Sequence, residues 1–155
     1  MLAVNDQGGS ELSAIAGWTK SCYLAGRALM DATLRPYDLG ATQWYVLRQL
    51  AVHGPTAQRE LVRLLDLERA TLSGVVAALV RKGFVVQLVG GKDQRQRTLQ
   101  LTDAGKALWD DLPDLRFIRD AAFGGIDPAE LTIAVRVLQT ATGRLHDLLG
   151  KGNTQ

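Results

Sequence analysis

The sequence predicts a mainly helical chain of the α+β kind: a winged helix-turn-helix core with dimerisation helices at its N- and C-terminal ends. Three observations lead there. Between Thr56 and Gly83 a short helix, a turn and a second helix follow one another. Two β-rich runs come next, joined by Gly90-Gly91-Lys92-Asp93-Gln94-Arg95-Gln96-Arg97, which reads as a hairpin with a basic tip. Long helical stripes flank this core on both sides.

The first helix is expected from Ser10, after a polar, Gly-rich start predicted to be disordered. Ile15, Trp18, Cys22, Ala25 and Leu29 alternate spacings of three and four along one stripe. It should stop near Leu34, because Pro36 disfavours the helical region at Arg35. A second helix runs from about Thr42 to His53 and is closed by Gly54-Pro55. Thr56 is placed to cap a third helix through about Leu64. Asp66-Leu67-Glu68 forms the turn into the fourth.

The fourth helix is the best defined. Leu72, Val75, Val76, Leu79 and Val80 follow the spacing of a core-facing stripe, and Lys82-Gly83 supplies a cation and a left-handed cap at its end. Strands are expected over Phe84–Val89 and Arg97–Thr102. Ala104 to about Ala122 reads as one helix kinked at Pro113 and broken by Gly124-Gly125. Asp127-Pro128-Ala129-Glu130 then combines an N-cap, Pro at N1 and Glu at N3, starting a last helix that stops at Gly150.

Composition bounds the function classes. The chain has 155 residues, 46% of them apolar, so one domain, or one domain with extensions, is expected. No apolar run approaches the roughly 20 residues that span a bilayer, and the polar start lacks a secretory pattern. A single cysteine excludes an intramolecular disulfide and suits a reducing cytoplasm. The net charge of +2 is small, but its distribution is uneven. Residues 55–100 carry eight basic against four acidic side chains, whereas 1–54 balance and 101–155 carry six against eight. The excess sits on the helix-turn-helix segment, where phosphate contact requires it.

The exposed face of the fourth helix explains what that segment is for. A solvated helix face usually carries Lys, Glu and Gln; here it carries Ala70, Gly74, Ala77 and Ala78, flanked by Arg69, Thr71, Ser73 and Arg81. Small residues let a backbone approach another surface closely, and first-turn hydroxyls can bond base edges or phosphates. Alanine is also simply a good helix former, but glycine inside a helix costs about 1 kcal/mol relative to alanine and so needs another reason. At the hairpin, Arg95 and Arg97 are two apart and would share a face on a regular strand, with Lys92 beside them. Arginines on such a tip suit the narrow, electronegative minor groove. Asp93 fits there if it orients an arginine through a bidentate pair. Arg59, Arg69 and Arg81 are the candidate phosphate contacts.

The residues Tyr37-Asp38-Leu39-Gly40-Ala41-Thr42-Gln43-Trp44 through Leu47, Glu60-Leu61 with Leu65, Leu79, Lys82-Gly83-Phe84-Val85, Asp93-Gln94-Arg95 and Leu101-Thr102-Asp103-Ala104-Gly105 resemble the MarR family of bacterial winged-helix regulators. The Asp-x-Arg wing followed six residues later by Leu-Thr-x-x-Gly is the most specific part, and the resemblance covers about residues 10–150. It implies a double-stranded DNA reader in which the first and last two helices form a dimer interface. Arg95 would enter the minor groove with Asp93 in support. The implied organisation is a tail at 1–9, a single domain at 10–150 and a tail at 151–155. Within the domain, dimerisation helices at 10–36 and 104–150 surround a DNA-binding lobe at 37–103. The chain departs from the family at Gln87-Leu88, where an arginine is frequent, at Gln94, and at Gly74, where a longer polar side chain is common.

Dimerisation also follows from the stripes themselves. Leu131, Ala134, Leu138, Ala141, Leu145 and Leu148 keep a three-four alternation, as Ile15 to Leu29 do, and a small helix-turn-helix core cannot cover both. A homodimer reading a pseudo-palindromic operator is expected.

Other chemistries find little support. His53 and His146 lack carboxylate or cysteine neighbours at ligand spacing, so no metal is expected; no nucleophile elbow or phosphate loop appears, and neither enzyme nor cofactor is expected. Cys22 occupies a stripe position beside Trp18 and is expected to be buried and structural, with a thiol redox sensor as the alternative. The family implies release from DNA by a small, often aromatic or phenolic ligand. Trp18, Tyr23, Arg27, Trp44 and Tyr45 are the residue types to stack on such a ring and hold its carboxylate, although Trp44 and Trp18 also fit packing positions. A winged-helix protein-interaction module without DNA binding is the remaining alternative.

Overall fold

Hydrophobic periodicity becomes architecture in a computed structural model, which describes residues 6–90 and 95–152. The elements are α1 (Asp6–Leu34), a 3-10 turn (Arg35–Tyr37), α2 (Ala41–His53), β1 (Thr56–Ala57), α3 (Gln58–Leu64), α4 (Arg69–Arg81), β2 (Val85–Val89), β3 (Arg97–Leu101), α5 (Asp103–Asp111), α6 (Arg116–Phe123) and α7 (Pro128–Gly152). They divide into two compact units, one up to Leu115 and one from Arg116 onward.

In the first unit, α2, α3 and α4 enclose a core with the sheet. Leu34, Val46, Leu47, Leu61, Leu72, Val76, Leu79, Val85 and Leu99 are its fully buried side chains. Only the C-terminal turns of α1 contribute, through Met30 and Leu34. Its earlier stripe is exposed: Leu12, Ile15, Leu29 and Trp18, the last at 74%. Cys22 is exposed as well. The expected burial of Cys22 is therefore not met within a single chain, because the stripe that carries it has no cover within its own unit. The helix also begins at Asp6, so residues 6–9 of the expected disordered tail are helical.

Side chains close the helix ends. Asp31 on α1 accepts from the Ala41 amide at 2.7 Å, and Gln43 Oε1 accepts from the Gly40 amide at 3.3 Å, satisfying donors at the start of α2. Gly54 and Gly83 take positive φ, 77° and 80°, after α2 and α4, as the sequence predicted. Lys82, the last residue of the fourth-helix pattern, reaches across to the α1–α2 turn. Its Nζ donates to the Asp38 carbonyl and lies 3.3 Å from both Gln43 Oε1 and Asp38 Oδ2.

Two local expectations are corrected here. Thr56 does not cap α3; it pairs as strand β1 while its Oγ1 donates to the Gly54 carbonyl at 2.9 Å, and Ala57 precedes the helix. Edge pairing with β3 competes successfully with capping. Val80 is 39% exposed rather than core, and Val75 is half-buried, leaving Leu72, Val76 and Leu79 as the α4 stripe. The i+8 position has rotated past the contact by the last turn.

The sheet has the order β1-β3-β2, all antiparallel. Val85 faces Leu101 and Gln87 faces Leu99, while Thr56 pairs with Leu99 from the other flank. After β3, Thr102 caps α5 by accepting from the Gly105 amide at 3.0 Å. The single kinked helix expected beyond this point is instead two: α5 ends at Asp111, and α6 starts at Arg116. Pro113 lies between them, where its ring cannot continue a helical hydrogen-bond ladder.

The second unit comprises α6 and α7. Gly125, at φ 82°, makes the link between them. Asp127 Oδ1 accepts from the Ala129 amide at 2.8 Å, the cap that Asp127-Pro128 predicts. Helix α7 continues through Gly150 to Gly152, because a glycine costs too little to stop a helix alone. Leu138, Leu145 and Leu148 are exposed along it.

Candidate nucleic-acid interface

Helix α4 buries one stripe and turns the opposite face outward. Arg69, Ala70, Thr71, Ser73, Gly74, Ala77 and Arg81 are all exposed. A Cβ built on Gly74 would meet nothing within 4 Å, so the chain's own packing does not require glycine there.

Strand alternation positions the wing. Val85, Gln87 and Val89 on β2 share a face with Leu101, Leu99 and Arg97 opposite them on β3. That face grades from buried apolar at the base, through Gln87, to Arg97 at the tip. Arg95 precedes the strand in a turn, so it does not alternate regularly with Arg97. Both nevertheless line one open cleft of about 550 Å³, together with Gln58 and Arg59 of α3, Arg69 of α4 and Gln96. Four guanidiniums and two amides surround it, and no carboxylate does among the described residues. Guanidinium forks match phosphate oxygens bidentately, so this lining suits a polyanionic backbone. Arg81 lies at the far end of α4 and does not line the cleft. Lys92 and Asp93, the other wing candidates, lie outside the described residues.

Three side chains join the helices to the sheet beside this cleft. Gln87 Nε2 donates to Gln58 Oε1 at 3.0 Å, and Gln58 Nε2 donates to Ser73 Oγ at 3.4 Å. Gln58 and Gln96 were not anticipated as site residues; the partners of Gln58 lie 15 and 29 residues away and leave no local spacing signal, and Gln96 carries no charge to mark it. On α3, Arg63 hydrogen-bonds Glu60, which holds that carboxyl below the ordinary carboxylate value and raises the guanidinium.

The candidate ligand residues separate into two groups. Arg27 donates to Thr42 Oγ1 at 2.7 Å and to the Tyr23 hydroxyl at 3.3 Å, tying α1 to α2. Tyr45 stands edge-on to Trp44 at 5.2 Å, and its hydroxyl reaches Met30 Sδ at 3.6 Å. Trp44 also packs against Trp109 of α5 at 5.7 Å. Trp18 joins neither group. Thr42, Met30 and Trp109 complete these contacts and were missed, because their partners are distant in sequence.

Comparison with known proteins places this geometry. A MarR family model matches residues 37–96. The HTH-type transcriptional regulator FarR of Neisseria gonorrhoeae is 33% identical over 107 residues, covering 69% of this chain and 73% of FarR. The HTH-type transcriptional repressor NicR of Pseudomonas putida is 29% identical over 103 residues; the match covers 66% of this chain and spans 65% of NicR's length. Bordetella bronchiseptica BpsR, solved to explain regulation of its DNA binding by 6-hydroxynicotinic acid, superposes with a TM-score of 0.72 at 25% identity, covering 83% of this chain and 98% of BpsR. Staphylococcus aureus MepR, in complex with DNA, has a TM-score of 0.78 at 17% identity over 84% of this chain and 97% of MepR, which establishes a shared fold.

Proposed function

This chain belongs to the MarR family, and from that premise we propose that it is a non-enzymatic, cytoplasmic transcriptional repressor that binds an operator in double-stranded DNA as a homodimer. The observation that carries the reading is the continuity of two surfaces. The small, hydroxylated face of α4 lies beside a cleft in which Arg59, Arg69, Arg95 and Arg97 converge. In this reading α4 enters the major groove, Arg95 reaches the flanking minor groove, and the cleft arginines hold phosphates between them. The apolar stripes of α1 and of α7 are each exposed, and each is available to a second copy, as a homodimer requires. Among the described residues, no helix is long and apolar enough to cross a membrane.

Release by a small aromatic acid is part of the same proposal. Arg27, held between Tyr23 and Thr42, is the guanidinium offered to the carboxylate, with Tyr45 and Trp44 on the neighbouring helix as ring partners. The regulation of BpsR by 6-hydroxynicotinic acid supports that ligand class.

Fluorescence-anisotropy titration against duplex from the gene's own upstream region, beside a scrambled duplex, tests the reading at two salt concentrations. Selective nanomolar binding with a steep salt slope is expected, with release when 6-hydroxynicotinic acid is added. Equal, weak binding to both the upstream duplex and the scrambled one, with no sequence enriched from a random library, would refute it.

A further inference from the structure

Four guanidiniums share one concavity where α3, α4 and the wing meet. Arg59, Arg69, Arg95 and Arg97 line it with Gln58 and Gln96, around a volume of about 550 Å³. Four cations elsewhere in the chain stand beside acids: Arg63 beside Glu60, Lys82 beside Asp38, Lys106 beside Asp103 and Arg119 beside Asp120. The cleft differs. Among the described residues, Arg59, Arg69 and Arg97 have no carboxylate within 4 Å, although Glu60 and Glu68 adjoin two of them in sequence. Glu60 is hydrogen-bonded by Arg63 instead. The three arginines are exposed, so water and salt screen their mutual repulsion without neutralising it.

The lining also defines what could neutralise it. A guanidinium carries five N–H donors and no acceptor, so the matching ligand is rich in acceptor oxygens and poor in donors. Phosphate oxygens meet that requirement, bidentately and with charge. The cleft falls within the roughly 300–1,000 Å³ of small-ligand sites, yet its charged lining excludes the apolar ligands such sites usually hold. Charge density then separates two kinds of phosphate. A DNA strand carries one negative charge per phosphate, strung out along the duplex. A linear triphosphate gathers roughly four charges near neutral pH into one short chain, because terminal phosphates lose their second proton near pH 6. That matches four convergent guanidiniums.

We propose that the cleft binds a free polyphosphate chain of three or more linked phosphates, and that this ligand excludes operator DNA by occupying the same guanidiniums. The first half concerns the DNA-free protein and stands apart from the DNA-reading function proposed above; the second half rests on it. Regulation through this cleft is then separate from release by an aromatic acid at Arg27, which lies on α1 and does not line it.

Isothermal titration of the DNA-free protein with sodium tripolyphosphate, at fixed ionic strength and without magnesium, tests the site. Saturable binding at one site per chain is expected, with sodium sulfate at least about tenfold weaker. Arg59→Gln and Arg97→Gln should each weaken tripolyphosphate binding by at least about threefold. Arg48→Gln removes the same charge from an exposed position on α2 outside the cleft, and should change it by less than about 1.5-fold. Thermal melts identify a variant that fails to fold, and the other cleft variant then carries the test. ATP distinguishes the sources: binding no tighter than tripolyphosphate assigns the cleft to the phosphate chain alone, and tighter binding assigns it to a nucleotide carrying that chain. In anisotropy titrations tripolyphosphate should displace a duplex enriched from a random library, and sulfate at equal ionic strength should not. Binding that fails to saturate, or that Arg48→Gln weakens as much as the cleft variants do, would overturn the site while leaving DNA recognition standing. Saturable binding without displacement would overturn the exclusion of DNA. A protein that binds tripolyphosphate at the cleft but enriches no sequence would keep the anion site and remove the DNA-reading function with the competition.

Discussion

Replacing Gly105 by alanine adds one methyl group where α5 closely approaches the backbone of Phe84, just before β2. A Cβ there would lie 2.1 Å from the Phe84 carbonyl oxygen, 3.0 Å from its carbon and 3.3 Å from Leu101 Cδ2. The first distance is about 1 Å inside ordinary contact, so backbone must move. Phe84 is not free to do so. Its carbonyl accepts from the Thr102 amide at 3.1 Å, and Thr102 Oγ1 donates to the Gly83 carbonyl at 2.6 Å while accepting from the Gly105 amide. Overpacking costs about 1–3 kcal/mol, and each neutral hydrogen bond disturbed adds about 1. The alanine recovers less than about 1 kcal/mol of helix propensity in this first turn. The expected loss is about 2–4 kcal/mol, or roughly 5–15 °C in Tm for a chain of this size. Urea unfolding followed by circular dichroism, at fixed protein concentration, reads it directly. A change below about 0.5 kcal/mol with an unaltered m-value would show that α5 shifts without strain, and the argument from close approach would be wrong.

Gly74→Ala should do the opposite to stability. With open space around the added methyl, helix propensity should raise the unfolding free energy by about 0.5–1 kcal/mol, while operator affinity falls because the helix can no longer seat as deeply; equal or tighter binding would contradict the groove-inserted face. Arg95→Ala should weaken operator binding by about 1–3 kcal/mol and leave the dimer intact by light scattering; unchanged affinity removes the wing's role. Arg27→Met should retain DNA binding but lose release by 6-hydroxynicotinic acid, and a normal response would place the effector elsewhere. The Glu60 carboxyl, hydrogen-bonded by Arg63, titrates below its ordinary value, so its contribution is present above the unfolded carboxylate range and fades as pH falls through the folded value. In Arg63→Gln, an NMR titration should find Glu60 moved back up; no movement would leave the pairing without effect in solution.

What the sequence made legible were features specified locally. The α4 stripe of Leu72, Val76 and Leu79, the glycine caps at Gly54 and Gly83, the hairpin, and the Asp127-Pro128 helix start each depend on residues within a turn or two. What stayed hidden depends on distant partners. Thr56 read as a cap because nothing nearby reveals that β3 offers a second edge. The cleft gathers Gln58, Arg59, Arg69 and Arg97 from three elements, and only the arginines announced themselves by charge. Cys22 shares the periodicity of a core stripe, but periodicity gives a face and not what covers it. Gly105 was visible as part of a motif, and the structure supplies its reason: the Phe84 carbonyl occupies the space a side chain would need.

Strand β3 is gripped on both flanks, by β2 along its whole length and by β1 at Thr98 and Leu99. Slipping it by one residue would turn Leu99 and Leu101 out to water, so its alignment is fixed independently of the loop that leads into it. Insertions or deletions between Val89 and Arg95 should accordingly change how far Arg95 extends, while Arg97, paired on β3, and helices α3 and α4 stay in place. If α4 and Arg95 act as proposed, reach and readout are mechanically separate, and a descendant of this chain could adopt a wider or narrower minor groove by editing a few loop codons while keeping the bases it recognises.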